Sequence, residues 1–187
     1  MNTSERSGQI QTLKDEFLSS SEIAGKLFSE QSEETLMRRP TTGKWSAAEC
    51  LAHLTVTSNK FLPDFATARE KAVRESIHSD APYKMDIVGK FFVRMTEPPA
   101  RFKVPAPAPF LPGKPTSAKE TLAEFLQSQQ ALLQALDAAA PISMVSVKVC
   151  SPATNVIKYN LYSAFCILAA HQRRHLVQAQ KAVPARQ

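Results

Sequence analysis

The sequence has little glycine, little cysteine and no long apolar run. Five glycines in 187 residues argue against a β-rich or linker-rich chain. The three cysteines, Cys50, Cys150 and Cys166, are too few and too scattered for a disulfide framework or a zinc knuckle, so we expect reduced thiols. No segment approaches the roughly 18 consecutive apolar residues that a membrane-spanning helix requires. We therefore expect no membrane partner.

The length and the N-terminal sequence indicate an ordinary globular protein. A chain of 187 residues is long enough to bury a core, which predicts a single domain over residues 1–187. Residues 1–17 are polar and carry charges of both signs. This segment is neither a typical secretory signal nor a typical transit peptide, so we expect a cytoplasmic location.

Charge is distributed unevenly along the chain, whose formal net charge is +6. Residues 1–34 are acidic on balance, whereas no Asp or Glu follows Asp137. The basic residues beyond Asp137 could attract an anionic partner, but their wide spacing is typical of a solvated face. They are Lys148, Lys158, Arg173, Arg174, Lys181 and Arg186. The sequence has no recognisable helix-turn-helix and no stripe of aromatic and basic residues, so we expect no nucleic-acid partner.

Four long segments show the apolar spacing of amphipathic helices. They cover residues 9–32, about 46–74, 117–139 and about 160–182. The second begins with a capping box of Ser46 and Glu49, and the third with one of Ser117 and Glu120. Asn160 suits the N-cap of the fourth.

The second helix carries two further signals. Trp45 and Cys50 occupy the positions of a hydrophobic staple. Pro63 lies inside the helical pattern and lacks a backbone N–H. We therefore predict a kink or a split near Asn59.

Residues 75–116 form the irregular part of the chain. A short helix is predicted over residues 84–95, and a proline-rich segment follows it. Proline excludes helix interiors and central strands and favours extended polyproline-like backbone. The prolines are Pro98, Pro99, Pro105, Pro107, Pro109, Pro112 and Pro115. We interpret this segment as a long crossover within one domain.

The pattern as a whole predicts an all-α fold. Residues 142–149 alternate only weakly, so they form either a short strand or a loop. Four long amphipathic helices with one long crossover between the second and third indicate a four-helix bundle.

Three histidines are the strongest candidates for chemistry. His171 and His175 are four residues apart, so on a helix they project from one face. They continue an apolar stripe formed by Leu161, Ala164 and Leu168. His53 follows the start of the second helix, and adjacent packing would close a three-histidine site. Three neutral imidazoles suit Zn²⁺ with an open position, and also Ni²⁺ or Fe²⁺.

Several weaker candidates surround these histidines. Glu49 could hold the second ring nitrogen of His53 or act as a base, although its capping role already explains it. Cys50 could reach the site, although a staple contact also explains it. The histidines themselves could instead be packed core residues without a metal.

Other polar residues are given structural or surface roles. His78 and Cys166 have no identifiable partner. Arg173 and Arg174 are expected on the exposed side of the fourth helix, from which one could reach an anionic substrate or partner. Gln172 stands where an HExxH zinc peptidase has its general-base glutamate. Glutamine cannot accept a proton near neutral pH, which argues against peptidase chemistry of that kind.

At these residues the chain resembles the DinB-like superfamily, which includes the YfiT-like metal-dependent hydrolases. The first matching element, W-S/T-x-x-E-x-L-x-H-L, opens the second helix with Trp45, Ser46, Glu49, Leu51, His53 and Leu54. The second element, A-A-H-x-x-x-H-x-x-Q, lies in the fourth helix with Ala169, Ala170, His171, His175 and Gln178. The helical segments and the crossover also agree, so the resemblance covers nearly the whole chain.

The resemblance implies an up-down-down-up four-helix bundle, often as a homodimer. It implies a divalent metal held by His53, His171 and His175. It also implies a small-molecule substrate, since known members include transferases and isomerases that use low-molecular-weight thiols. The sequence departs from many relatives at Gln172, where they have Glu, which puts any role of that acid in doubt.

Two functions from different classes follow as hypotheses. The first is a metal-dependent enzyme, a hydrolase or a thiol transferase, that acts on a small thiol or hydrolysable substrate. The second is a non-catalytic dimeric bundle, an interaction or stress-response module with a structural metal or none. Binding of an acidic partner that survives loss of the histidines would favour the second hypothesis.

Overall fold

The computed structural model describes residues 2–99, 105–154 and 156–184. These residues are mainly helical, as the sequence predicts, and include one small sheet. The helices are α1 (Asn2–Ser29), α2 (Glu33–Met37), α3 (Ala47–Arg74), α4 (Ile87–Thr96), α5 (Ala118–Ala139) and α6 (Leu161–Ala182), and the strands are β1 (Lys148–Cys150) and β2 (Lys158–Asn160). No helix in this part of the chain is long and apolar enough to cross a membrane. Arg186 lies outside the described residues.

The predicted helix starts are confirmed at α3 and α6. The Ser46 hydroxyl accepts from the Glu49 N–H, and the Glu49 carboxylate accepts from the Ser46 N–H, which completes the capping box of α3. The Asn160 side chain accepts from the Ser163 N–H at 2.8 Å. Both caps satisfy backbone donors that a helix start otherwise leaves unpaired.

The cap of α5 is only half of the predicted box. The Ser117 side chain accepts from the Glu120 N–H at 3.1 Å. The Glu120 carboxylate accepts instead from the Thr116 hydroxyl, 2.5 Å away. The Thr116 hydroxyl, one residue before the N-cap, therefore engages the carboxylate that would otherwise bond the Ser117 N–H in a complete capping box.

Two helix predictions were wrong in detail. The first predicted helix ends at Ser29, and residues 33–37 form the separate helix α2, capped by Ser32. Of the kink or split predicted near Asn59, the split is wrong, because α3 is continuous through Pro63. Phe61 and Phe65 on either side of this proline are buried, and their packing holds the helix together. Pro63 itself is exposed. It lies on the face of α3 where water can hydrogen-bond the backbone carbonyl that loses its usual N–H partner.

The prediction for residues 142–149 was half right, because only the last two of them belong to a strand. β1 pairs with β2 in an antiparallel hairpin in which Val149 stands opposite Tyr159, and both side chains are buried. Three residues give too short a pattern for the sequence to show β2. The predicted short helix over residues 84–95 is α4, and the described part of the proline-rich segment contains a 3-10 turn, Ala108–Phe110.

The long helices pack in pairs. α1 and α3 each pack against both α5 and α6, and α4 packs against α6. α3 and α6 run antiparallel, because Phe65 lies beside Phe165 whereas His53 lies beside His171. This pairing brings the start of α3 to the second half of α6.

Within the described residues, the core consists of two hydrophobic clusters. The first, here the hairpin cluster, includes Phe17, Phe65, Leu132 and Phe165 together with the strand residues Val149 and Tyr159. The second, here the cap cluster, includes Ala24, Cys50, Leu51, Phe125 and Leu176 near the start of α3. Trp45 packs against the cap cluster, as expected of a staple residue.

A buried polar layer separates the two clusters. On each long helix, at least one buried polar residue lies, in sequence, between a member of one cluster and a member of the other. Examples, one from each helix and each at most 3 % exposed, are Ser20, Ser58, Gln129 and Gln172. Among the described residues, the Ser58 hydroxyl and both amide groups make no hydrogen bond. The layer is therefore a costly place for any added charge.

Asp86 fastens α4 to the hairpin and to α6. Its carboxylate accepts from the N–H groups of Gly89 and Asn160, from the Lys148 ammonium and from the Ser163 hydroxyl. Burial raises the pKa of Asp86, but these donors outweigh burial and hold it below its ordinary value. This junction brings α4 close to the first turn of α6.

Gly89 is expected to be the glycine least tolerant of substitution. A Cβ at this position would lie 2.2 Å from the Ser163 Oγ and 2.3 Å from the Ser163 Cβ. Gly89→Ala should therefore push α4 away from α6 and destabilise the protein by about 1 to 3 kcal/mol. Urea unfolding measures the change.

Gly25→Ala is the matched control. Gly25 also lies within a helix, but a Cβ there would meet nothing within 4 Å. This variant should stabilise the protein by up to about 1 kcal/mol, because alanine is the better helix former. Equal stability of the two variants would contradict the close approach of α4 and α6.

Candidate metal centre

The structure brings His53, His171 and His175 together. One ring nitrogen from each lies within 4.8 Å of the others. The Nε2 atoms of His53 and His171 are 3.2 Å apart. The antiparallel pairing of α3 and α6 explains the meeting, since it sets the first turns of α3 against the second half of α6. Both histidines of α6 face this point because they are four residues apart.

The centre lies at the edge of the core. His53 is 4 % exposed and His175 9 % exposed, whereas His171 is partly exposed. The Trp45 ring lies 4.8 Å from the His53 ring and 5.8 Å from the His175 ring, measured between centroids. Trp45 therefore forms an aromatic wall beside two of the three imidazoles.

A backbone carbonyl fixes the orientation of His53. The His53 Nδ1 lies 2.6 Å from the carbonyl oxygen of Phe110, in the 3-10 turn of the crossover. A carbonyl oxygen only accepts, so Nδ1 carries the proton and donates it. The neutral ring then has its lone pair on Nε2, the atom that faces His171. Histidines that bind metals are commonly oriented by such a bond on the other nitrogen.

All three imidazoles are held in the neutral form. Burial lowers the pKa of His53, against a smaller opposing contribution from the Phe110 carbonyl. Burial, His175, His53 and the Arg174 charge hold the pKa of His171 well below its ordinary value. Burial, followed by His53 and Arg174, lowers the pKa of His175 to about 3. Neutral imidazole is the form that binds a metal ion, so no proton has to be displaced at neutral pH.

The donor set fits a divalent transition metal. Zn²⁺ binds imidazole nitrogen at about 2.0 to 2.1 Å, which in a tetrahedral site places two such nitrogens roughly 3.4 Å apart. The 3.2 Å between the Nε2 atoms of His53 and His171 is close to that spacing. Three protein ligands leave at least one coordination position open. Zn²⁺, Ni²⁺ and Fe²⁺ all accept imidazole, so this donor set alone does not select among them.

Glu49 does not serve the centre in the way that the sequence allowed. Its carboxylate accepts from the Arg39 guanidinium and from the Ser46 N–H, while His53 Nδ1 donates to Phe110. Burial raises the pKa of Glu49, but the bonds from Arg39 and Ser46 outweigh it and lower the pKa overall. The capping interpretation is confirmed, and the idea that Glu49 holds the His53 ring is wrong.

Among the described residues, no cysteine belongs to the group of potential metal ligands that the three histidines form. Cys50 is fully buried in the cap cluster, and burial followed by the Glu49 charge raises its pKa to about 12. Burial likewise raises the pKa of the Cys166 thiol to about 12. Cys50, Cys150 and Cys166 are free cysteines, as expected. His78 is exposed, in line with a surface role.

Gln172 is a buried core residue in this structure. It follows His171 by one residue, so it points about 100° further round the helix. Its side chain is fully buried in the polar layer of the core. The residue after the first histidine is therefore a core position, and the presence of Gln or Glu there bears on folding more directly than on chemistry.

Arg173 and Arg174 are half-buried, so their predicted exposure was wrong. Arg173 pairs with Glu16 of α1 and with Glu97 at the end of α4. Arg174 donates to the Met95 carbonyl at 3.3 Å, and its charge lowers the pKa of two of the histidines. The two arginines therefore tie α6 to its neighbours.

Sequence reasoning missed the Phe110 carbonyl and the placement of Trp45 beside the histidines. A backbone carbonyl has no signature in the sequence, since any residue type supplies one. Trp45 was interpreted as a staple residue and as part of the first family element, without a role beside the histidines. Its position, eight residues before His53, gives no local reason to expect ring contact.

Comparison with known proteins identifies the family. A sequence model described as the DinB superfamily matches residues 22–179. No curated protein and no solved structure gives a significant match. The matched region contains His53, His171 and His175 and most of the described helices. This match covers well over half of the sequence, and the chain belongs to the DinB superfamily.

Proposed function

We propose that His53, His171 and His175 bind one divalent metal ion, and that the protein is a metal-dependent enzyme acting on a small thiol or hydrolysable substrate. One observation carries the proposal: three neutral imidazoles offer nitrogens within 4.8 Å of one another. Membership of the DinB superfamily supports it, since the resemblance implies this ligand set.

The arrangement favours a bound cation over simple core packing. His53 donates from Nδ1 to Phe110, so its Nε2 presents a lone pair to His171 Nε2 at 3.2 Å. Without a metal, one proton can form a hydrogen bond between two of these ring nitrogens. The nitrogen of the third imidazole then still lacks a partner at the centre. A metal ion accepts all three lone pairs at once.

A metal ion held here would act as a Lewis acid that favours deprotonation of a water molecule or a thiol at the open position. The chain's own residues prepare that position. Phe110 fixes the His53 ring, Trp45 limits the approach from one side, and burial keeps the imidazoles neutral. Glu49 is engaged by Arg39 and the helix cap, so no proton-transfer role is assigned to it.

Further parts of the proposal rest on the resemblance. We infer an up-down-down-up bundle, which the packing of α1 and α3 against α5 and α6 supports. Pairing into a homodimer, a low-molecular-weight thiol as cofactor and a cytoplasmic location belong to the same proposal. Size-exclusion chromatography with light scattering tests the dimer.

Metal analysis tests the central claim. Purified protein, stripped with a chelator, reloaded separately with Zn²⁺, Ni²⁺ or Fe²⁺ and desalted, is expected to retain about one equivalent of at least one metal. His171→Ala should retain none above background, because two imidazoles are left. Wild-type protein that retains no metal after reloading would overturn the proposal.

The catalytic claim has its own test. Loaded protein is incubated with a panel of small thiols paired with electrophiles, and with a panel of esters and amides. Turnover that requires the metal and disappears in His171→Ala is expected. Metal binding without turnover on either panel would favour a structural metal and the non-catalytic alternative.

A further inference from the structure

We infer that Phe110 is a positioning residue for His53, and that metal binding and the seating of the proline-rich crossover are coupled through the bond between them. This inference rests on the proposed metal site. It goes further by assigning a role to a segment that contributes no ligand. The segment concerned is residues 105–116, here called the crossover segment.

Phe110 anchors the crossover segment. It is 5 % exposed, whereas residues 105–109 and Leu111 are exposed or half-buried. Its ring lies under the Lys60 ammonium of α3, 5.4 Å from the ring centroid. The 3-10 turn that ends at Phe110 also packs against α3. The buried side chain therefore sets where its own carbonyl lies.

The bond from His53 joins segments far apart in the chain. The donor and acceptor residues are 57 positions apart, and the bond is buried. It selects the His53 tautomer that leaves Nε2 free to bind a metal. With the carbonyl displaced, the ring can turn or place its proton on Nε2, and a protonated Nε2 cannot bind the metal.

The parts of the chain before and after the crossover segment are held by contacts that do not involve His53. Glu97, after α4, pairs with Arg173 of α6. At the other end, the Ala118 N–H donates to the Glu33 carboxylate of α2 at 2.8 Å. A change at Phe110 should therefore loosen the crossover segment without releasing α4 or α5.

The first experiment compares Phe110→Ala with Leu111→Ala. Zn²⁺ affinity is measured by competition with a chelator, and the Co²⁺-loaded proteins are compared by their d–d absorption spectra. Phe110→Ala is expected to bind Zn²⁺ about 10-fold to 100-fold more weakly, the usual loss when a group that orients a ligand is removed. Its Co²⁺ spectrum should change. Leu111 is 50 % exposed, so its variant should match wild type in both measurements.

A conservative variant separates positioning from general damage. Phe110→Leu keeps a large buried anchor and should recover most of the affinity and the wild-type Co²⁺ spectrum. Phe110→Ala with wild-type affinity and spectrum would overturn the inference. Equal loss in Phe110→Ala and Leu111→Ala would also overturn it, because the effect would not then depend on the buried anchor.

The second experiment measures the coupling from the other side. Coupling between two equilibria is reciprocal, so an ion that favours the correct His53 tautomer must also favour the seated crossover segment. The N–H groups of Phe110 and Leu111 are bonded within the 3-10 turn and report on its seating. Zn²⁺ is expected to slow their hydrogen exchange in wild type and to have no effect in His53→Ala. Unchanged exchange in wild type that has bound Zn²⁺ would overturn the inference.

These outcomes are distinguishable from failure of the proposed function. Wild-type protein that binds no metal defeats the proposed function and this inference together. Wild-type protein that binds metal while Phe110→Ala binds it equally well defeats this inference alone.

Discussion

Replacing His171 with alanine is expected to abolish the stabilisation that Zn²⁺ gives to the wild-type protein. A ligand that binds only the folded state stabilises it by about 4 kcal/mol at a thousand times its dissociation constant. For a chain of this size that corresponds to a rise of roughly 8 to 16 °C in the unfolding temperature. This stabilisation requires all three imidazoles to meet at one point. The Nε2 atoms of His53 and His171 already lie 3.2 Å apart. Thermal unfolding with and without Zn²⁺ measures the stabilisation.

His78→Ala is the control for this prediction. It removes the remaining histidine, which is exposed and far from the cluster in sequence. The Zn²⁺-dependent shift should survive in this variant and disappear in His171→Ala. A shift of equal size in both variants would mean that Zn²⁺ stabilises the protein from a different site.

The helices could be predicted from the sequence because their signals are local. The apolar spacing and the capping residues lie within each segment, and α6 begins after Asn160 and ends at Ala182 as expected. The errors occurred where tertiary contacts, and not the local sequence, determine the secondary structure. Packing of Phe61 and Phe65 overrides Pro63, and β2 is defined only by its pairing with β1.

The histidine cluster was predictable for a similar reason. The spacing of His171 and His175 and their place on an apolar stripe are local facts, and the packing of α3 against α6 supplies the adjacency that the prediction required. The orientation of His53 was not predictable. It depends on where the crossover segment lies after folding, and Phe110 offers a main-chain oxygen that no residue type encodes.

Gln172 has a structural role that the motif comparison did not show. The sequence suggested a missing catalytic acid. The structure places the side chain in the polar layer between the hairpin cluster and the cap cluster, fully buried. A carboxylate at this position would enter the core.

Gln172→Glu is therefore expected to destabilise the protein strongly. Burial raises the pKa of a carboxyl group, by as much as about 3 to 5 units when the group is fully buried. At pH 7 the cost is about 3 to 4 kcal/mol, because the unfolded chain ionises with a pKa near 4.3 and the folded chain must stay protonated. Urea unfolding of the metal-free protein measures the difference from wild type.

The destabilisation by Gln172→Glu is also expected to depend on pH. The folded-state pKa of the introduced carboxyl is raised, so the deficit relative to wild type should be small below about pH 4 and should grow as the pH rises toward that folded-state pKa. Gln130→Glu makes the same chemical change at an exposed position of α5 and should show little deficit at any pH. Gln172→Leu removes the buried amide and should be close to neutral in stability. If Gln172→Glu matches Gln130→Glu at pH 7, residue 172 is accessible to water and the buried layer is wrongly placed.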